Sequence, residues 1–523
     1  MKRLFFAALL AATAMTSWAG GLLTNTNQNI TFLRNPAQDG AININGVYSN
    51  PAGVAFLGDG LHLGLNVQSA FQTRTATTTN PLFKLGINNN GVDTKTYEGK
   101  ATAPFIPSVQ AAYNKDKWSF MFNFAINGGG GKCEFANGLG SFEGAVAQIG
   151  AGLQPFGAQG YNADYYMRGN QYYFGFTLGA AYKVTENLSV FGGLRGLFGM
   201  ASYKAKISDI TVKTANGNVP FSGFLDATNN YVATSLAQLN EAIPQLQGGV
   251  AQLQGALAQL EPVKDQPGYA EQYQGYLTQY QIYSAQLADC QANKAKLEGA
   301  QPTLEQLEVY REGVNLQSDQ RGFGIAPIIG VDFKTGDFNF GAKYEFRTKM
   351  GMKNESTLKE AMAIDAVNQF RDGTSVREDA PALLTVGAQY TLLDKVRLNA
   401  GYHIYFDKDS KKYGNKQELL DGNTLEYLGG VEYDINDKLT VSGGVQITKY
   451  GMTDEYMSDL SFTTDSWSFG LGAKYQVSEK VAINAAYFKT NYSDYKTAAS
   501  AQGVQNNFTR KNDVLGVGVE LNF

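Results

Sequence analysis

Beyond its first residues the chain has no uninterrupted apolar run that reaches the about 20 residues a helix needs to cross a bilayer, so any membrane insertion must use strands. Histidine is nearly absent: His62 and His403 are the only two. His403 has no partner identifiable in the sequence, which leaves little for base catalysis or for a metal centre. A cationic excess is also missing, because 43 Lys and Arg stand against 47 Asp and Glu for a formal charge of −4. That balance carries no footprint for nucleic acid. A mean hydropathy of −0.25 does not argue against a membrane barrel, in which half of the strand positions face water.

The one early apolar run belongs to a leader. Lys2 and Arg3 precede an apolar stretch from Leu4 to Ala14, and Ser17-Trp18-Ala19 follows. These are the three parts of a secretory signal peptide over residues 1–19, with cleavage leaving Gly20 first. Export places the two cysteines, Cys133 and Cys290, in an oxidising compartment, where an even pair allows a disulfide without requiring one. The 59 glycines, 30 tyrosines and 31 phenylalanines suit a barrel with aromatic girdles and a closely packed lumen better than an enzyme core.

From residue 60 to Phe523 the chain repeats segments of alternating polarity. Trp467, Phe469, Leu471, Ala473 and Tyr475 oppose Ser466, Ser468, Gly470, Lys474 and Gln476, and Val396 to Phe406 reads the same way. Side chains of a strand alternate between faces, so a lipid face and a wet face give this period of two. Fourteen such segments occur, the first near 60–74, the third near 117–127 and the last near 512–523. Short turns such as Thr185-Glu186-Asn187, Thr335-Gly336-Asp337 and Asp394-Lys395 alternate with longer loops. The fold class is therefore an all-β, fourteen-stranded antiparallel outer-membrane barrel, with short turns and both ends in the periplasm. A soluble sandwich would not need the even count or the alternation of loop length.

Two segments fall outside the strand pattern. Residues 20–59 have no sustained period but carry Ile30, Phe32, Leu33, Ile42, Ile44, Val54 and Phe56, too apolar for a disordered tail, and are expected to plug the lumen. Within 207–320, Leu236, Leu239, Ile243, Leu246, Val250, Leu253, Leu257 and Leu260 recur at alternate spacings of three and four, as do Tyr269, Tyr273, Tyr276, Tyr280, Tyr283, Leu287 and Cys290. Glu261 to Gly268 breaks the two series, predicting an extracellular helical hairpin with heptad seams, kinked near Pro244 and Gly248-Gly249.

In the plug, Ser49-Asn50-Pro51-Ala52-Gly53 stands just before the first strand. With the leader, the plug of this length and the fourteen strands, it resembles the Asn-Pro-Ala hatch of the FadL-type outer-membrane long-chain fatty acid transporters. Pro107 to Phe135 and Gly179 to Lys206 extend the likeness, and 207–320 departs from it. The resemblance implies a monomer for passive uptake of long-chain fatty acids or similar hydrophobic small molecules past the lipopolysaccharide of the outer membrane, with no cofactor. It implies that Asn50, Pro51 and Ala52 brace the hatch, that Gly20, Gly21, Leu22 and Leu23 move near the ligand, and that a kink in the third strand opens the wall. Gly128, Gly129, Gly130 and Gly131 sit at that kink, where four glycines cannot hold a flat strand. Lys343, Arg347, Arg397 and Lys474 point inward by parity, and no head-group ligand is singled out among them. The competing readings are a surface adhesin working through the hairpin, a polar-solute porin on the same scaffold and a barrel lipase using His403.

Overall fold

The computed structural model describes residues 22–359 and 365–523; the leader and the first two plug residues, Gly20 and Gly21, lie outside them. Fourteen antiparallel strands form the wall: β1 Gly60–Thr79, β2 Thr94–Lys115, β3 Trp118–Phe135, β4 Gly160–Lys183, β5 Leu188–Thr214, β6 Val314–Thr335 and β7 Phe338–Glu345, which resumes as Gly351–Ser356. They continue as β8 Leu383–Leu392, with a short lead-in at Ser375–Arg377, β9 Val396–Tyr405, β10 Thr424–Asn436, β11 Leu439–Lys449, β12 Ser466–Ser478, β13 Val481–Tyr492 and β14 Gln505–Asn522. Each strand pairs with its sequence neighbours, and β1 pairs with β14 from His62↔Asn522 to Thr79↔Gln505, so the sheet closes.

The connections β2–β3, β4–β5, β6–β7, β8–β9, β10–β11 and β12–β13 are all tight turns at one end, where Leu61 and Phe523 also exchange backbone hydrogen bonds. Loops with their own structure occupy the other end. Outward positions carry an apolar belt, including Leu178, Leu194, Ile325, Leu471 and Val517, and the tight-turn end carries exposed Tyr113, Trp118, Phe338, Tyr433, Tyr475 and Phe523. An apolar band with an aromatic girdle is what the hydrocarbon core and its interface select.

Several expectations need correction. The strands outrun the alternating segments at the loop side, β5 reaching Thr214 where the alternation predicts 188–204 and β4 starting at Gly160 where it predicts 171–183. There the ladder rises clear of lipid, neither face needs to be apolar, and the alternation fades. The third strand runs past its expected end near residue 127, staying paired to β4 through bulges as far as Phe135. The insertion narrows to 215–313, with α4 Phe221–Leu260, which holds Pro244 and Gly248-Gly249 within it, and α5 Ala270–Glu308. Cys133 is buried in β3 and Cys290 lies on α5; both are free, so the disulfide allowed by the sequence does not form.

Candidate functional site: the hatch and the broken ladder

Residues 22–59 enter the barrel and are almost wholly buried. Two short helices, α1 Ile30–Arg34 and α2 Gly46–Ser49, alternate with turns, and Asn29 caps α1 by accepting from the Phe32 N–H at 2.8 Å. An irregular backbone in a lumen must find partners for its polar groups, and here the wall supplies many of them. Asn66 Oδ1 accepts from the Ile30 N–H at 3.2 Å, and Asn114 Nδ2 donates to the Val54 carbonyl at 2.9 Å. Lys343 Nζ donates to the Tyr48 carbonyl at 2.7 Å and Asn339 Nδ2 to the Gly40 carbonyl at 2.8 Å.

The Asn-Pro-Ala residues lie near the tight-turn end. Asn50 Nδ2 donates to Asp332 Oδ2 at 2.5 Å while its Oδ1 accepts from the Gly53 N–H at 3.3 Å, so one side chain both closes a local turn and ties it to β6. Ala52 is fully buried, and its carbonyl accepts from Ser189 Oγ at 2.6 Å. Below the hatch opens a charged vestibule of about 650 Å³ lined by Arg34, Arg397, Glu432, Asp434, Lys474 and Glu520.

The glycine-rich stretch lies elsewhere, against the start of the plug. The β2–β3 ladder is paired at Thr102↔Lys132 and again at Val109↔Phe124, with no pairing between. On the other side of β3 the ladder to β4 persists, but its register shifts at Ile126/Gly128 and at Gly130/Cys133. The wall is therefore interrupted on one side only. Gly129 has φ +86°, and a side chain there would meet the Gln171 carbonyl at 2.2 Å. At Gly128 a Cβ would lie 1.8 Å from the Leu23 carbonyl, so the plug backbone passes where only glycine leaves room. The Asn25 N–H donates to the Asn127 carbonyl at 2.7 Å, taking up a backbone group freed by the broken ladder. Leu23 and the β3 glycines thus come together as one site, and Asn50 to Ala52 form a second.

The facing strand holds a partner signal that the sequence reading passed over. Pro104 and Pro107 sit in β2 opposite the unpaired part of β3, and proline has no N–H to give a ladder. Pro104 and Phe105 both face outward, as a bulge requires, and Ala103 and Ile106 face in. Inside the gap these two join Phe32, Ile126, Phe488 and the half-buried Phe174 in one apolar cluster.

Toward the loop end, Leu22 packs with Leu420 and Tyr456, and its backbone N–H faces the buried Asp407 carboxylate. Asp407 lies in the loop after β9, where burial pushes its carboxyl up to about 6 against donors that include the Thr424 N–H. An acid raised in this way favours the folded state when protonated, so its contribution is complete below about pH 4 and is lost as pH rises through about 6. Proteolysis of the N-terminal segment is expected to speed up from pH 5 to pH 7.5, and Asp407→Asn is expected to flatten that profile. Equal pH dependence in both proteins would contradict the assignment.

His403 is fully occupied: Nε2 lies 2.9 Å from Asp39 Oδ2 on the hatch and Nδ1 lies 2.8 Å from Glu426 Oε2 on β10. A hydrolase base needs one ring nitrogen on its nucleophile, and here carboxylates hold both. At the loop end, the base of the hairpin packs on α3, Gly140–Gly152, and the turn after it. A cavity of about 800 Å³ opens between them, lined by residues including Phe156, Tyr231, Leu239 and Leu297.

A family model described as the outer membrane protein beta-barrel domain matches residues 361–523. No curated protein matches the chain in sequence. A solved structure of a Pseudomonas aeruginosa FadL homologue is similar over 96% of this chain and 100% of its own, with TM-score 0.58 and 13% identity. A TodX mutant lacking S2 and S3 segments, described as a monoaromatic hydrocarbon channel, is similar over 95% and 100%, with TM-score 0.50 and 12% identity. The last third of the chain thus matches the outer membrane β-barrel domain, and the chain as a whole shares its fold with a FadL homologue.

Proposed function

We propose that the barrel is a passive, monomeric channel for hydrophobic small molecules, long-chain fatty acids among them, which enter at the outer loops and leave sideways between β2 and β3. The observation that carries this reading is the coincidence of the unpaired ladder, the apolar cluster inside it and the plug's first residues lying across it. Burying a methylene is worth about 0.8 kcal/mol, so an acyl chain or an aromatic ring is held by such a surface without any reacting group. A straight path down favours neither, because it ends in the vestibule of Arg34, Arg397, Glu432 and Asp434. An exit into the membrane keeps apolar cargo out of water from the gap onward. A closed barrel also has no open strand edge with which to recruit a second copy.

In this scheme the 800 Å³ cavity at the hairpin base is the first stop, the lumen beside Leu23 the second, and the gap the exit. Cargo shifts the plug only to the extent that it binds the open arrangement better than the closed one. The fold is shared with a structure described as a monoaromatic hydrocarbon channel, so small aromatic cargo falls in the same class. Native mass spectrometry of gently purified protein, together with cellular uptake of labelled oleate and toluene, tests the reading. Co-purified apolar ligand with uptake of at least one probe is expected. An empty barrel that takes up neither would overturn it.

A further inference from the structure

Five lysine or arginine side chains are buried among the described residues: Arg34, Arg74, Arg195, Lys343 and Arg510. Arg34 pairs with Glu432, and Arg195 and Lys343 share Glu345. Arg74, 1% exposed, and Arg510, 3% exposed, have no such carboxylate among the described residues, and they stand directly opposite each other on inward positions of the β1–β14 ladder. Buried charges are ordinarily paired, and two like charges side by side add repulsion to the cost of burial.

Their surroundings supply stacking and carbonyl contacts, and no carboxylate of the described residues pairs with either guanidinium. Arg74 Nη2 donates to the Phe462 carbonyl at 2.7 Å, and its guanidinium lies 4.5 Å over the Phe462 ring. Arg510 lies 4.5 Å over the Tyr492 ring, and its Nη1 reaches Thr463 Oγ1 at 3.4 Å. Arg74 Nη1 and Arg510 Nε and Nη2 have no hydrogen-bond partner among the described residues, nor do the Tyr492 hydroxyl and both amide atoms of Asn512, the next inward residue of β14. The other ionisable groups acting on Arg74 are Cys133 and Tyr492, whose ordinary pKa values leave them neutral at pH 7. Guanidinium pairs recognise carboxylates and phosphates through parallel N–H donors, and the unused donors here have that chemistry.

We propose that Arg74 and Arg510 bind the anionic head group of an amphiphile, which makes the preferred cargo of this barrel an acid with an apolar tail and not a neutral hydrocarbon. This rests on the channel reading and sharpens it. Four residues along β1 from Arg74, Ala70 pairs with Ala103, the first β2 residue beyond the end of the ladder to β3 at Thr102. Strand rise makes that step about 13 Å. Ala70, Ala103 and Ile106 belong to the apolar cluster inside the gap, so a head held by the arginines lays its tail toward the exit.

The test measures binding of oleate, methyl oleate and inorganic phosphate to the detergent-solubilised full chain and to the Arg74→Gln/Arg510→Gln variant, with heat-modifiable gel mobility as the check on folding and Arg510→Gln alone as the milder change. Oleate is expected to bind the native protein and to lose about ten- to a hundred-fold in the double variant, the range for hydrogen bonds to charged groups, with methyl oleate unchanged. The ligand-free variant is expected to melt higher than the native protein, because an unpaired buried charge has gone. Equal binding of oleate and its ester in both proteins overturns the arginine site and leaves the channel reading standing. Tight binding of phosphate alone makes this a small-anion site and overturns the amphiphile assignment. Failure of oleate and its ester alike to bind the native protein overturns both readings.

Discussion

Valine at Gly128 and Gly131 together is expected to cut uptake of labelled oleate by about tenfold or more while leaving the barrel folded. At Gly128 the added carbon falls 1.8 Å from the Leu23 carbonyl, and at Gly131 it falls 2.7 Å from the Thr102 carbonyl and 3.0 Å from Ala103 Cβ, so bulk enters the gap from both its plug side and its β2 side. Relieving overlaps of this kind costs about 1–3 kcal/mol, and about 1.4 kcal/mol is already a factor of ten in rate. The wall is unpaired here in any case, so little ladder energy is at risk. Gly192 and Gly429 have open space where a side chain would go, and valine at either is the control that should leave uptake unaltered. Full uptake by the folded Gly128/Gly131 variant would remove the gap from the transport route.

Replacing Glu345 by leucine is expected to lower the stability of the folded barrel by about 3–5 kcal/mol, the cost of leaving buried charge without its partner. Glu345 sits between two cations, accepting from Arg195 and, at 2.8 Å, from Lys343, with all three side chains almost fully buried. Lys343 also donates to the Tyr48 carbonyl and lies 4.0 Å over the Tyr48 ring, so the triad joins the wall to the hatch. Urea unfolding in lipid vesicles, followed by gel mobility, measures the loss. The triple variant Arg195→Met/Lys343→Met/Glu345→Leu should recover most of it, because no charge then remains buried. A loss below about 1 kcal/mol in the single variant would mean that the site is hydrated and its ions screened.

The wall was legible because one force writes it. Where β12 crosses lipid, Trp467, Phe469 and Leu471 must face out and Ser466, Ser468 and Gly470 in, and burial follows that parity. The same parity places Lys343 and His403 in the lumen. Their partners were not legible: Tyr48 and Asp39 lie 295 and 364 residues away in the chain, and no periodicity links them. The plug's apolar content announced packing, whereas the gap needed two strands to be read together. The glycines of β3 were conspicuous, but Pro104 and Pro107 become informative only once β2 is set opposite them. Arg74 and Arg510 were hidden for a similar reason, being unremarkable in sequence and unusual only as a facing pair with no acid among the described residues.

The β1–β14 seam also dictates the order in which the molecule can be made. Its two strands are the first and last of the wall, so the cylinder cannot be sealed until the whole chain has been delivered. Contacts between such remote segments are the slow ones in folding. The plug is joined to β1, and glycines at 341 and 470 admit its backbone against the wall at Asp39 and Leu33. A structured segment fitted that closely is far easier to wrap than to thread through a finished mouth. Assembly therefore has a deadline: residues 22–59 must be in position before the last strand zips, and a late plug yields a sealed but hollow barrel.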